Sequence, residues 1–473
     1  MFKKVMCGLL SVLMLSMCFS GCKKSPGGSS SEVVSSKTDH LAVKEEKRNK
    51  VDLGGKEFTI VTFDHKLFSW TEGESDYGDA VLKRISDVED ELNCSLNFKI
   101  VDCETMLSEL AAAQLAGDKY ADVITPIVWN TASYISGGML MDMNKIPNLD
   151  LSKSYWNKDD GTKFGQIGDK QYFAVCPMVQ AEEYAWTIAF NTRILSECGL
   201  ESPYDLMKKN QWTLSKMREM AKAATKETNG ITGMTADDQW GIAAVDKVGV
   251  LGLGILAAKG ANFITKSSKG EMQYAMNTTK VKDAISYARD WLNNDNSVYS
   301  NEDVKDVWTL GHALFYSYMF KDVTEYSKNM ADDYGIVPFP RADEAEDYSM
   351  ELEWNRAFLA VPEGLSEEDI NDVGYLLDSL AYHSQKEYAA KWNEYKERYT
   401  CDEPSREVID KIYSYTKYNY AQLLCPSNGE LKNATYNVYY NVLQQPNLSI
   451  TDSIAAVTDS GKQAMLSWLQ LVQ

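Results

Sequence analysis

Between residues 54 and 340 the apolar positions alternate between two rhythms. Short runs of β-branched and aromatic residues predict strands at Glu57 to Phe63 (entered through Gly54-Gly55), at Ser95 to Val101, and from Asp122-Val123-Ile124 onward. Between them the period lengthens to that of a helix. Val81, Ile85, Val88 and Leu92 fall on one face, and Leu107, Leu110, Ala111 and Leu115 on another, with Gly117 as the stop. Strand, helix, strand, helix, strand at these lengths predicts an α/β lobe with a parallel sheet.

The same grammar returns later. Strands are expected at Thr187–Asn191, Gln239–Ala244, Ala313–Tyr318 and Tyr334–Pro338. Thr213 caps a helix that runs to Thr225, and Thr279–Asn293 turns Val281, Ile285, Ala288 and Leu292 inward. Ser366-Glu367-Glu368-Asp369 opens a helix carrying Ile370, Val373, Leu377 and Leu380, and the last ninety residues or so are mostly helical.

The N-terminus follows a different rule. Lys3 and Lys4 precede an apolar run from Val5 to Phe19, then Ser20, Gly21 and Cys22. About fifteen apolar residues fall short of the roughly 20 that span a bilayer, so the order predicts a secretory signal. Phe19-Ser20-Gly21-Cys22 resembles the bacterial lipobox, with Phe19 where Leu is commoner. The resemblance implies cleavage after residue 21, lipidation of Cys22 and anchoring at the outer face of the cell membrane. Lys23 to Lys50, rich in Ser, Gly, Lys and Glu, then reads as a flexible tether reaching about 30 Å.

Removing residues 1–21 leaves 452 of the 473, too many for one ordinary core, with 46 basic against 68 acidic residues and a net charge of −22. So acidic a chain repels nucleic acid and anionic headgroups, which excludes both as partners. Six cysteines follow Cys22: Cys94, Cys103, Cys176, Cys198, Cys401 and Cys425. A strand separates Cys94 from Cys103, and a helix expected over Ser405 to Gln422 separates Cys401 from Cys425. Neither neighbouring pair can bridge, and longer-range pairing stays open. There is no C-x-x-C, and His40, His65, His312 and His383 are scattered, so neither a zinc site nor a redox pair is expected, and no cofactor.

The order of segments resembles the family 1 extracellular solute-binding proteins, which include the maltose- and oligosaccharide-binding proteins. The matching stretches run from Lys83–Leu92 and Leu96–Val101 through Gly138-Met139-Leu140-Met141-Asp142-Met143. They continue with Gly168–Pro177, Phe190–Leu195 and Glu197–Pro203, and with Trp212-Thr213, Gly311–Leu314 and Tyr334–Pro338. Together they cover roughly residues 54–395. The resemblance implies an α/β, two-lobed periplasmic-binding-protein-like fold of type II, with several hinge crossovers and a ligand cleft between the lobes. Crossings would lie near Tyr184, Pro338 and Ser384. The first lobe would hold 51–183 with 338–383, and the second 184–337 with 384–473 and a helical tail. It further implies a monomeric receptor that hands a carbohydrate to the transmembrane subunits of an ABC permease.

Sugars present apolar C–H faces and rims of hydroxyls, so their sites combine aromatic platforms with carboxylate, amide and guanidinium groups. In loops after strands the sequence offers Trp70, Trp129-Asn130, Trp186 beside the first crossing, Asp246, Phe320, and Glu353-Trp354 with Arg356. These are the expected ligand residues. The other class to weigh is a surface-tethered glycan-processing enzyme or adhesin. Asp159-Asp160, Glu182-Glu183 and Asp237-Asp238 are paired acids, but adjacent acids are usually solvated surface, and nothing places two carboxylates across a cleft. Gly252-Leu253-Gly254-Ile255-Leu256-Ala257 fits a loose G-x-G-x-x-A without the strand and turn a nucleotide loop needs, and reads as helix packing. No catalytic residue is assigned.

Overall fold

Gly54 and Gly55 turn the chain into its first strand at φ values of 67° and 76°, a region open to a residue without a Cβ. The computed structural model describes residues 42–156, 161–180 and 182–472. The signal, Cys22, most of the tether and Asp159-Asp160 lie outside the described residues.

The first sheet holds β1 (Lys56–Thr62) between β2 (Cys94–Ile100) and β3 (Val123–Thr125), all parallel. Parallel neighbours need crossovers, supplied by α1 (Asp76–Leu92) and α2 (Cys103–Ala116). Ser75 caps α1 by accepting the Gly78 N–H, and Val81, Val88 and Leu92 are buried as expected. Ile85 is only half-buried; the fully buried place beside it belongs to Arg84. In α2 the buried positions are Met106 and Leu110. Leu115, expected inward, is 91 % exposed, because the last turn before Gly117 has no layer over it. Beyond β3 the sheet is continued by a later stretch, 357–362, whose antiparallel bridges join Ile124 to Ala360 and Ala174 to Leu359.

The second sheet is built from β4 (Trp186–Asn191), β5 (Trp240–Ala244), β6 (Val298–Tyr299), β7 (Ala313–Met319) and β8 (Tyr334–Pro338), in the order β6-β5-β7-β4-β8. β6, β5 and β7 run parallel, and β4 pairs antiparallel with both β7 and β8. α3 (Leu214–Ala224) begins where the Thr213 hydroxyl accepts the Lys216 N–H. α4 (Thr279–Asn294) buries all four residues expected of it; each large one contributes about 1.5–3 kcal/mol. α5 (Phe320–Ser327) follows β7 directly. Gly252 and Gly254 let a helix approach Tyr439 and Phe339, where a Cβ would collide. The G-x-G pattern is helix packing, as read.

Two features depart from the sequence reading. Residues 367–398 form one unbroken helix, α6 (Glu367–Arg398), which packs along α1. Ser384, near which the third crossing is expected, is buried inside it. α7 (Glu403–Tyr415) then packs on β8. The helix expected to reach Gln422 stops at Tyr415, because Thr416-Lys417 pair as strand with Met350-Glu351. The other departure concerns the tether, whose last residues are docked. Arg48 bonds Glu91 at 2.8 Å and Asp378 at 3.0 Å, and the Lys44 N–H reaches Gln385. Burial alone would raise the Glu91 carboxyl, but its bonds from His383 and Arg48 win and hold it at about 2. The six cysteines of the described residues are free thiols. α8 (Ile450–Val472) closes the chain against both lobes: the Trp468 indole reaches the Ala132 carbonyl, while the helix packs on α4.

Candidate functional site

The loop that leaves β1 opens onto a pocket at the seam of the two sheets. Asp64 accepts the Lys66 N–H and fixes the short turn His65–Leu67. The Trp70 indole then donates to the Lys66 carbonyl at 2.7 Å, and its ring meets Tyr77 edge-on at 5.2 Å. Gly78 allows that packing, since a Cβ there would lie 2.6 Å from the Trp70 ring. Opposite stand Lys321 and Asp322 from the first turn of α5, and behind them Lys391 and Tyr395 of α6. Tyr184, from the crossing between sheets, completes the wall beneath Lys321, whose ammonium lies 4.2 Å from its ring centre. The pocket is open to solvent at its mouth.

Charged groups lie beneath these rings. Lys391 bonds Glu183 at 2.7 Å; burial would lower its pKa, but the Glu183 carboxylate prevails and lifts it. Glu182 accepts from Gln180 and from the Tyr388 hydroxyl, and burial pushes its carboxyl up to about 7 against those bonds. Arg84 and Glu387, both without exposed side-chain area, pair at 2.6 Å between α1 and α6. Glu182 and Glu183 are therefore not the solvated surface that adjacency suggests. The crossing carries them inward, where α6 supplies their partners.

A second group of residues lies further along the seam. Trp129 meets Trp354 edge-on at 5.5 Å, and Trp354 meets Tyr436 at 5.8 Å. Lys432 sits 5.2 Å from the Trp129 ring centre. The Glu353 N–H donates to the Tyr184 carbonyl, so this group and the pocket share one backbone link.

Of the nine expected ligand residues, Trp70 alone lines the pocket. Trp129 and Trp354 are together and half-buried in the second group. Asp246 is exposed, with one carboxylate oxygen capping the turn that follows by accepting from Val248 and Gly249. The other five expected residues are turned inward and are buried in this structure. Trp186 is buried and donates to Glu353 at 3.0 Å, so each satisfies the other. Burial raises the Glu353 carboxyl against that bond. Arg356 is buried over Tyr418, with its guanidinium on the Leu352 and Glu353 carbonyls and on Gln422. Asn130 is buried against Glu104 and the Cys103 carbonyl. Phe320 has no exposed area: Trp392 stacks on it at 5.5 Å and Tyr395 meets it at 5.0 Å. The continuation of α6 past Ser384 brings those two rings in, so Tyr395 faces the pocket where Phe320 was expected.

Sequence reasoning missed Tyr77, Lys321, Asp322, Lys391 and Tyr395. The i,i+4 spacing of Lys391, Tyr395 and Tyr399 on a helix was the available signal, and all three line the pocket. Among the described residues no group of three His, Cys, Asp or Glu is placed to hold a metal ion.

Residues 97–369 match a family described as bacterial extracellular solute-binding protein. A search of the curated proteins finds no match. Among solved structures, the cyclic α-maltosyl-1,6-maltose binding protein of Arthrobacter globiformis is similar at 15 % identity and TM-score 0.60, over 88 % of this chain and 100 % of that one. The Thermus thermophilus maltotriose binding protein bound with maltotriose is similar at 13 % identity and TM-score 0.54, over 86 % of this chain and 100 % of that one. UgpB from Mycobacterium tuberculosis, in complex with glycerophosphocholine, is similar at 15 % identity and TM-score 0.55, over 88 % of this chain and 99 % of that one. At these identities the likeness establishes the two-lobed fold. The different ligands of those proteins mean that the fold does not fix the ligand.

Proposed function

The chain belongs to the bacterial extracellular solute-binding proteins, and from that premise we propose that it captures a carbohydrate by lobe closure and delivers it to an ABC permease. The observation that carries the reading is the pocket at the seam, walled from both sheets by aromatic rings and carboxylates. Trp70 and Tyr77 approach from the first sheet, Lys321 and Asp322 from the second. Rings receive the C–H face of a pyranose, and ionised carboxylates accept from its hydroxyls. A ligand touching both walls favours the closed arrangement by the difference between its affinities for the two states. Trp129 and Trp354 extend the same surface, so a ligand of several sugar units would reach them.

The protein acts as a receptor and not as a hydrolase on this reading. The buried carboxyls at the seam are engaged by Gln180, Tyr388, Lys391 and Trp186, which suits a wall better than a general acid. Anchoring through Cys22 belongs to the same proposal and rests on the lipobox-like sequence. A panel of sugars in thermal shift, run beside a hydrolysis assay and solution scattering, tests the whole. Saturating ligand should stabilise by about 2.7 kcal/mol at a hundred times Kd, shrink the radius of gyration and be recovered intact. Conversion to shorter sugars would establish an enzyme instead, and a Cys22→Ala protein retained by membranes would remove the anchor.

A further inference from the structure

The walls of the pocket are short of hydrogen-bond donors. Glu183 Oε2 and Glu394 Oε2 are buried without a hydrogen-bond partner, Asp322 has only the Tyr326 hydroxyl, and all three residues line the pocket. Glu183 is 8 % exposed as a residue, so water reaches little of it. Asp64 and Glu325 add two further carboxylates to the lining. Three lysines stand against these five acids, and Arg398 pairs with the other oxygen of Glu394 at 3.0 Å. Lys391 is engaged by the other oxygen of Glu183 and lies 5.1 Å from the Tyr77 ring centre, Lys321 lies over Tyr184, and Lys66 is exposed. The lining carries an excess of negative charge, and the partly dehydrated carboxylates are where it is least screened.

Resting on the carbohydrate-receptor reading, we propose that this pocket selects a saccharide bearing a protonated primary amine, an amino sugar with its nitrogen unacetylated. An ionised carboxylate only accepts, so the ligand must supply the donors. An ammonium supplies three N–H donors together with the missing positive charge, whereas a hydroxyl supplies one donor and no charge. Trp70, Tyr77, Tyr184 and Tyr395 place ring faces and edges around the same space, and an ammonium is attracted to ring faces as well. Acetylating the nitrogen abolishes the charge and adds bulk. Discrimination against the acetylated form follows from the same groups that hold the free amine.

The test is calorimetry on the full mature chain at pH 6 with three trisaccharides of equal length: the trimer of glucosamine, its fully N-acetylated counterpart and maltotriose. The glucosamine trimer should bind about tenfold or more tighter than either neutral sugar, and the margin should shrink as salt rises. Asp322→Asn should reduce it to about two- to threefold, because the glucosamine trimer loses far more affinity than either neutral sugar. The wild-type ranking stands without any variant, so a poorly folding Asp322→Asn leaves the test intact. Neutral sugars binding as tightly as the glucosamine trimer would overturn the selectivity and leave the receptor reading in place. Spermidine binding as tightly would mean that charge alone is read, overturning a saccharide site. Failure of all three sugars to bind would remove both the selectivity and the carbohydrate reading.

Discussion

The two ends of the seam contrast in how they treat aromatic rings. At the Trp70 end the rings surround an open space, and the groups under them are ion pairs: Lys391 with Glu183 and Arg84 with Glu387. At the Trp129 end the rings pack on one another and on Lys432. Each end also buries one carboxyl held near neutrality. Burial pushes Glu182 to about 7 at the first, and pushes Glu351, bonded by Asn419 and Gln422, to about 7 at the second. The candidate pocket thus has charged pairs beneath its rings, whereas at the other end Arg356 is held by carbonyls and Gln422 and the rings touch one another.

The largest effect that would break this contrast is on Arg84. It joins α1 to α6 under the pocket, with neither its side chain nor that of Glu387 exposed. Removing one partner of a buried pair leaves an uncompensated charge, so Arg84→Met should destabilise by about 3–5 kcal/mol. Arg84→Met with Glu387→Met should recover most of it, since two apolar side chains then fill the place of two charges. Denaturant unfolding measures both. Recovery by the double variant would assign the cost to the orphaned charge and not to lost packing.

Next in size is the pH dependence carried by Glu182. Its folded carboxyl titrates near 7 against an ordinary 4.5, so between those values the folded protein holds a proton that the unfolded chain has lost. Stability from this group therefore falls as pH rises from about 4.5 through 7, and is lowest above 7. Glu182→Gln should leave stability nearly unchanged at pH 4.5 and raise it by roughly 1–3 kcal/mol at pH 8. Glu351→Gln should behave alike at the other end. Melting temperatures across pH 4.5–8 decide it, and parallel curves for wild type and Glu182→Gln would show that this carboxyl is ionised throughout.

Much of the fold was legible because it follows from local patterns. The parallel order of the first sheet, the Thr213 cap and the inward face of α4 need only period, capping and turn residues. The candidate pocket was legible at Trp70, which sits in the loop leaving β1, and no further. Trp186, Phe320 and Arg356 have the residue types of a sugar site and the right loop positions, yet all are sealed by partners distant in sequence. Glu353 lies 167 residues from Trp186, and Gln422 lies 66 from Arg356. No local pattern carries such pairings. The run of α6 past Ser384 is the instructive case. Helical spacing was there to be read through Tyr395, but the sequence reading assigned inward positions only as far as Leu380. One continuous helix changed both which ring faces the pocket and which acids are buried beneath it.

Ligand binding sharpens the contrast at a smaller scale. Trp70→Ala removes a platform from the open pocket and should weaken sugar binding by about 1–3 kcal/mol, the scale of burying one large side chain. Calorimetry with a short ligand checks it, and wild-type affinity would move the sugar elsewhere along the seam.

The smallest effect expected is on Trp129, and it depends on ligand length. Its ring already meets Trp354 edge-on and carries Lys432 at 5.2 Å, so a sugar arriving there gains only the surface those neighbours leave uncovered. A disaccharide held at Trp70 does not extend that far, and Trp129→Ala should leave its affinity unchanged within about 0.5 kcal/mol. A ligand of four or more units, running past Tyr184 toward Glu353, should lose up to about 1 kcal/mol, because part of one ring face is all that remains to be covered. Titrating wild type and Trp129→Ala with a length series therefore measures how far the ligand runs along the seam. Equal losses for short and long ligands would place the primary site at the Trp129 end and reverse the assignment of the two ends.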